Sequence, residues 1–519
     1  MVKFLASSID KNLKYSSRFS KYTIFLLIII GVAISTKMYF FPSQLPVNFD
    51  SIYYFLYSSD IYLTNQLPQD WSPTNNGWPI FVSLFFMIFD SKDAFTLMQI
   101  QKLLSITISI LIIIPVYFLC KKYVSRKFAI IGASLIAFEP RMMINSFLGL
   151  TEPLYLLLVT TSLVLFLQSN KKLVYFSFFV VALATLVRGE GITLFMVMSI
   201  MFFIRYRREK LKVILKYLLV LGIFALVILP MSMYRTDVIG VDGIVMRSLS
   251  SGDDLVSDLT ANTDSKNNVL NGIELFGKIF VWMMVPSFII FIPLGVFLVL
   301  RNRNFEKYTL ILSIGVLSLP AFYAYTNSVL DTRYFFILLP LFAVLSIVSI
   351  DKMVSKLRKS NAIIFSIIII IFVVSLVFYD YQKPDGEFEK ESLEITEEIF
   401  PIIEKKNMRG MDGYFRVIHV MEQWPMEYTE MKTDGKGVTT SGYNSLENFI
   451  DNSRSEGLSH IVIDVKKDRL PFLSEIFYGE EKFPYLKKVY DSKENGFNYH
   501  VKVFEIDYKM YDIMQDNRD

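Results

Sequence analysis

The chain of 519 residues has one cysteine, Cys120, and three histidines, His419, His460 and His500, all late in the sequence. A single cysteine excludes an intramolecular disulfide framework and any cysteine-based metal site. Three late histidines leave little from which to build a zinc site. Net charge is also scarce: +4 over the whole chain, too small to point to nucleic acid. Internal repeats and coiled-coil heptads are missing as well. A soluble composition is the last absence. Hydrophobic residues make up 53% and aromatic residues 15%, more apolar surface than a soluble domain of this length carries.

Long apolar stretches account for that surface. A membrane-crossing helix takes roughly 20 mainly apolar residues. Eleven stretches qualify as candidates, near 22–41, 94–120, 127–145, 151–168, 172–187, 190–204, 212–233, 277–300, 307–326, 333–350 and 361–380. The first is not a cleaved signal peptide, because its apolar part is long and no small-x-small site follows. Loop charges orient the array, since Lys and Arg collect in cytoplasmic loops. Lys3, Lys11, Lys14, Arg18 and Lys21 precede the first stretch. Lys121, Lys122, Arg126 and Lys127 follow the second, and Lys171 and Lys172 follow the fourth. "RYRREKLK" (Arg205 to Lys212), "RNRNFEK" (Arg301 to Lys307) and "DKMVSKLRK" (Asp351 to Lys359) follow the sixth, eighth and tenth. By contrast, residues 42–93 hold only Lys92 against Asp50, Asp60, Asp70, Asp90 and Asp93. One register satisfies every loop: a cytoplasmic N-terminus (1–21), a membrane part (22–380) and an extracellular tail (381–519) of a multi-pass plasma-membrane protein.

Three segments then face outward. Within 42–93, "SIYYFLYSSDIYL" (Ser51 to Leu63) predicts an amphipathic interfacial helix. Residues 235–275 form a polar loop. The tail mixes two periodicities. "YFRVIHV", "HIVIDV", "KKVYDS" and "YHVKVFEID" predict strands, and "EFEKESLEITEEIFPIIEKK" and "SLENFIDNSRSEG" predict helices. The expected fold is an α-helical polytopic membrane protein with about 11 transmembrane helices and a small C-terminal extracytoplasmic α/β domain.

"VVALATLVRGEGITLFMVMSIMFF" (Val180 to Phe203) is apolar but for Arg188 and Glu190. The topology puts these charges at the outward tip of a helical hairpin, where two glycines permit the reversal. Glu139, Arg141, Asn145, Thr151, Glu152, Asp331, Arg333 and Asp50 fall at the same level. An ionisable group at the membrane centre costs about 3 kcal/mol on insertion scales. The cost is lower at the interface, but two signs gathered from separate spans still call for a reason. The plain structural reading is that Arg188 pairs with Glu190 or snorkels to lipid, and Glu152 caps a helix. The functional reading is that arginine forks bind a phosphate while a carboxylate takes a proton from an attacking hydroxyl.

These segments, in order, resemble the GT-C superfamily of glycosyltransferases, which includes protein O-mannosyltransferases, aminoarabinose transferases and their prokaryotic relatives. The matching pieces are "NFDSIYYFLYSSDIYLTNQLP" (Asn48 to Pro68), "NNGWPIFVSLFF" (Asn75 to Phe86), "EPRMMINSFLGLTEPLYLLL" (Glu139 to Leu158), "LATLVRGEGITLF" (Leu183 to Phe195) and "DTRYFFILLPLFAVL" (Asp331 to Leu345). The resemblance covers roughly 20–380. It implies a GT-C-like membrane enzyme that moves a sugar from a polyprenyl-phosphate donor to a protein, lipid or glycan acceptor at the outer face. By the same resemblance, Asp50 would be the general base, and Arg188 and Arg333 would hold the carrier phosphate. Glu152 and Glu190 would orient those arginines or bind sugar, and Tyr53, Tyr54, Tyr334 and Trp78 would stack on sugar or line the cavity. The plain alternatives are a helix N-cap for Asp50, interfacial anchors for the arginines and an aromatic belt for the rings. Ser51 stands where many members have a second acid, which weakens a two-acid mechanism or a metal site; a divalent cation stays open as cofactor. The tail has "EQWPMEY" (Glu422 to Tyr428) instead of the Trp-Trp-Asp signature of oligosaccharyltransferases, which disfavours asparagine-linked transfer of a whole oligosaccharide.

Three other classes compete. A transporter or flippase of lipid-linked sugars also needs arginines, but would carry paired repeats with broken helices at the midplane. An outer-face glycan polymerase would be expected to place its main loop later in the membrane part. A non-enzymatic scaffold would leave the charges at the membrane edge unexplained.

Overall fold

The structure is a computed structural model that describes residues 21–47, 50–69, 71, 75–240, 242–244, 263–301, 304–327, 329–357, 360–403, 408–409, 414–422, 424, 443–455, 457–465 and 470–516. The membrane part begins with α1 (Lys21–Phe40), α2 (Asp50–Thr64), α3 (Gly77–Phe89), α4 (Ala94–Leu111) and α5 (Ile113–Cys120). Next come α6 (Arg126–Ala137), α7 (Pro140–Phe147), α8 (Glu152–Phe166), α9 (Lys171–Val187), α10 (Gly191–Tyr206) and α11 (Lys212–Ile239). It closes with α12 (Thr263–Met284), α13 (Ile292–Arg301), α14 (Phe305–Leu317), α15 (Leu319–Thr326), a 3-10 turn (Thr332–Leu338), α16 (Leu339–Val354) and α17 (Ser360–Gln382).

All eleven predicted stretches contain helix, but not as eleven equal spans. Among the described residues, six helices are long and apolar enough to cross a membrane, or seven if the bent pair α6–α7 counts as one. That pair bends by 47° between Ala137 and Pro140, where Pro140 removes a backbone donor. The predicted span 277–300 is broken between Met284 and Ile292. Its break is held by Arg141, which donates to the carbonyls of Trp282 at 2.9 Å and Val285 at 2.7 Å. Arg141 is itself paired with the buried Glu139 at 3.0 Å. Helices α8 to α10 have only 15, 17 and 16 residues, so at 1.5 Å per residue they fall short of a hydrocarbon core of roughly 30 Å.

Two other expectations are corrected here. The interfacial helix forms as α2, but most of it is buried inside the protein. It packs under α3, where Phe55 meets Phe86 at 5.6 Å and the Ser58 hydroxyl donates to the Pro79 carbonyl at 3.0 Å. The polar loop 235–275 is shorter than expected, because α11 runs on to Ile239 and α12 starts at Thr263; residues 241 and 245–262 lie outside the described residues.

The tail comprises α18 (Gly386–Ile403), β1 (Met408–Arg409), α19 (Tyr414–Glu422), α20 (Leu446–Arg454), β2 (His460–Asp464), α21 (Pro471–Tyr478), β3 (Leu486–Asp491), β4 (Val501–Ile506) and α22 (Tyr508–Asp516). The sheet order is β1-β2-β4-β3, with β1–β2 parallel and the other pairs antiparallel. Alternation along the strands splits the core in two. Val462, Val501 and Val503 pack with Ile395 and Ile399 of α18, while Ile461, Ile463 and Phe504 pack with Phe449, Ile476 and Tyr511 from α20, α21 and α22. The predicted strand "YFRVIHV" is instead the start of α19. Val417 and Val420 join the membrane-part core, and Tyr414 and Ile418 pack with Leu45 and Leu393. That three-to-four spacing is a helical stripe, which a short β-branched run hides. Through this stripe and the Trp424 ring, 5.7 Å from Phe55, the tail sits on the α1–α2 connection. Most of "EQWPMEY" lies outside the described residues.

Close backbone approach locks the hairpin to its neighbour. A Cβ on Gly77 would stand 2.7 Å from the Val187 nitrogen and 2.8 Å from the Leu186 carbonyl carbon. Gly77→Ala should therefore push α3 off the end of α9 and cost about 1–3 kcal/mol. Gly277→Ala, whose Cβ meets nothing within 4 Å, should be neutral or stabilising through helix propensity. Thermal unfolding of the two variants in one detergent checks the contrast.

Candidate active site

Four chain segments deliver the charges. Asp50 is the first residue of α2 and Glu152 the first of α8, so both carboxylates meet the positive end of a helix dipole. Pro153, in the first turn of α8, occupies a position that needs no backbone donor. Arg188 caps the C-terminus of α9, where the dipole favours a cation. Arg333 enters on the 3-10 turn behind Asp331, whose side chain accepts from the Arg333 backbone N–H at 2.8 Å.

These groups meet. Arg188 Nη1 is 2.6 Å from Glu152 Oε1, and its Nη2 is 2.9 Å from Glu190 Oε1. Arg333 Nη2 is 2.9 Å from Asp50 Oδ2, its Nε 2.6 Å from Asp331 Oδ2, and its Nη1 3.8 Å from the same Glu152 Oε1. One buried carboxylate thus faces both guanidiniums. The Asn145 amide donates to the other Glu152 oxygen at 3.4 Å. Glu152 is 2% exposed and Arg188 13%, whereas Asp50 is 56% exposed. The rings of Tyr155 and Tyr334 each lie 5.9 Å from the Arg188 guanidinium. A cleft is lined by Glu152, Arg188, Glu190, Arg333, Tyr155, Tyr334 and Thr193, with Leu156, Leu317, Pro320 and Ile337 as its apolar wall.

Of the residues expected at the site, Asp50, Glu152, Arg188, Glu190 and Arg333 form one ion-paired cluster, and Tyr334 flanks it. Tyr54 stands aside. Its hydroxyl accepts from the Asn75 amide at 3.0 Å, and burial raises its pKa while Arg188 acts in the opposite direction. Trp78 is wholly buried and donates to the Gly149 carbonyl at 3.0 Å, so it is a core residue and neither a sugar platform nor an interfacial ring. The hairpin reversal depends on Gly191 for space: a Cβ there would be 2.7 Å from the Thr185 nitrogen. Glu139 and Arg141 pair elsewhere, at the α6–α7 bend. Sequence reasoning missed Tyr155 and the buried amide of Gln101. The latter's signal was the polar set Gln99, Gln101 and Lys102 inside a stretch apolar enough to cross a membrane.

Among the described residues no group of three or more His, Cys, Asp or Glu side chains could hold a metal ion. The acids of the cleft turn to guanidiniums rather than to a shared cation position.

Residues 77–234 match the family model described as dolichyl-phosphate-mannose-protein mannosyltransferase. No curated protein matches in sequence. Among solved structures, the oligosaccharyltransferase of Archaeoglobus fulgidus in complex with Zn and sulfate is similar over 92% of this chain and 72% of its own, with TM-score 0.59 and 13% identity. The archaeal oligosaccharyltransferase AglB with an inhibitory peptide and a dolichol-phosphate gives TM-score 0.57 at 12% identity, over 92% of this chain and 74% of its own. ArnT from Cupriavidus metallidurans bound to undecaprenyl phosphate gives TM-score 0.56 at 9% identity, over 93% of this chain and 98% of its own. The chain shares the fold of these membrane proteins, the fold that the resemblance implied.

The burial difference predicts unequal roles in stability. Glu152→Gln leaves Arg188 and Arg333 short of a buried counter-charge and should cost about 3 kcal/mol. Asp50→Asn removes an exposed partner and should cost less than about 1 kcal/mol. Unfolding midpoints of the purified variants, compared with wild type, test the order.

Proposed function

We propose that this protein is an integral membrane glycosyltransferase. It moves a hexosyl or pentosyl group from a polyprenyl-phosphate donor to an acceptor hydroxyl at the outer membrane face. The observation that carries the reading is the pair of arginines from separate elements, facing one buried carboxylate beside the exposed Asp50. The lipid phosphates named with two of the similar structures support the donor class, and the acceptor peptide tethered in another structure of the Archaeoglobus fulgidus oligosaccharyltransferase supports a peptide as one acceptor class. Loop charges support eleven crossings, a cytoplasmic N-terminus, a catalytic part over 22–380 and an extracellular domain over 381–519.

The chemistry follows from charge. A sugar linked to a lipid phosphate is a diester with one negative charge. Its departure leaves a monoester approaching two. Arginine forks therefore bind the leaving group more strongly as the bond breaks, which is what lowers a barrier. The acceptor oxygen attacks the anomeric carbon, its proton passes to the Asp50 carboxylate, and the bond from that carbon to the phosphate oxygen breaks with its electron pair on the phosphate. In the resting cleft Asp50 is held by Arg333. That contact is exposed and weak, so a phosphate bound to Arg333 releases the carboxylate to act as base. Glu152 and Glu190 keep Arg188 aimed into the cleft. Tyr334, on the wall of the cleft, borders the sugar.

The test is reconstitution in liposomes with a panel of polyprenyl-phosphate monosaccharides. Wild type should transfer sugar or slowly hydrolyse donor. Asp50→Asn should lose about 100-fold or more in rate, and Arg188→Ala a comparable factor in donor use at normal expression. Activity that survives Asp50→Asn moves the base to Glu152. Normal transfer by Arg188→Ala sinks the phosphate role. Donor that crosses the bilayer unconsumed makes the protein a flippase.

A further inference from the structure

Gln101 is completely buried in α4. Its Nε2 donates to two backbone carbonyls, Ser51 at 3.1 Å and Gly149 at 2.9 Å. Both partners are acceptors, so the nitrogen must face them, and an amide has two hydrogens for the purpose. Ser51 follows Asp50 directly. Gly149 begins the turn that delivers Thr151 and Glu152, and it has a left-handed φ of +73°. A Cβ on Gly149 would lie 3.2 Å from Gln101 Cγ, so the turn is fitted to this side chain. Two neighbours on α4 extend the hold along the same segment. Gln99 donates to the Leu45 carbonyl at 2.9 Å, and the Lys102 ammonium donates to the carbonyls of Pro42 and Leu45 at 2.8 Å each. Among the described residues, the Gln101 Oε1 is buried with no partner. An apolar side chain of the same length would avoid that penalty, so the amide's value lies in its two donated bonds.

We propose that Gln101 is a positioning residue that sets the separation of Asp50 from Glu152, and hence of the base from the arginine-bound phosphate. The inference rests on the transferase reading for its effect on rate, though the two bonds themselves do not depend on it. Displacement of a reacting group by about 1 Å can cost about 100-fold in rate, so a tie between the two helix starts acts on turnover more than on binding.

The experiment uses the full chain in nanodiscs and liposomes, with Gln101→Met, which keeps length and loses both donors, and Gln101→Glu, which turns oxygen toward both carbonyls. Amide hydrogen exchange should rise about tenfold over residues 50–57 and over 149–156 together, with 191–206 unchanged. With the same donor panel, kcat should fall about 10- to 100-fold while donor KM stays within about threefold. Exchange unchanged in either segment overturns the tie. Raised exchange with unaltered kcat, or a loss that resides in KM, overturns the positioning role. If neither variant is recovered folded, Gln101→Asn, with both donors one methylene short, gives the same readouts. A wild-type protein that transfers no sugar from any donor overturns the transferase reading, and exchange alone then decides the tie.

Discussion

One carboxylate organises the charged end of this membrane protein. Glu152 is buried and lies between a guanidinium from the α9–α10 hairpin and another from the turn before α16. Two cations in a poorly solvated cleft repel each other unless an anion stands between them. Glu152 supplies that anion from the first turn of α8, where the helix dipole already favours it. Among the described residues, Glu190, Asp331 and Asp50 also turn to these two arginines. Asp50 is the most exposed of these acids, and Glu152 the most buried.

The scaffold serves this cluster by bringing backbones unusually close. Gly77 lets α3 rest on the last residues of α9, just before Arg188. Gly191 lets α10 start against Thr185 of α9. Short helices and a bent one are compatible with a membrane here because they surround one continuous apolar core, where backbone groups freed at the bends find partners inside the protein. Arg141 shows how: it satisfies two carbonyls at the break after α12 and is neutralised by Glu139. The tail adds a separate small core. Among the described residues it meets the membrane part through α19, against the connection that leads to Asp50, and through Trp424, against Phe55 of α2.

Much of this was legible in the residues. Long apolar stretches mark helices whatever their neighbours, and polar interruptions at their ends mark where charges gather. The ionisable members of the cluster could be named before any coordinates for that reason. The tail's β2, β3 and β4 and its α18 and α20 follow from local alternation and helical periodicity. Other features were not legible. "YFRVIHV" looks like a strand because its β-branched residues are clustered, yet its apolar residues also fall on one helical face, and packing chose that face. Trp78 looked like an interfacial ring because nothing local distinguishes an indole at a surface from one that donates to a buried carbonyl 71 residues away.

By itself the sequence determined the helical class, the separate α/β tail and the set of charged groups, because hydrophobic periodicity and the cost of a charge in lipid act locally. Only the tertiary structure decided which acid meets which arginine, how many helices are long enough to cross unaided, and that Gln101 joins the starts of α2 and α8. These are relations between residues up to 283 positions apart. They depend on backbone spacing that the packing of helices sets and that no local pattern encodes.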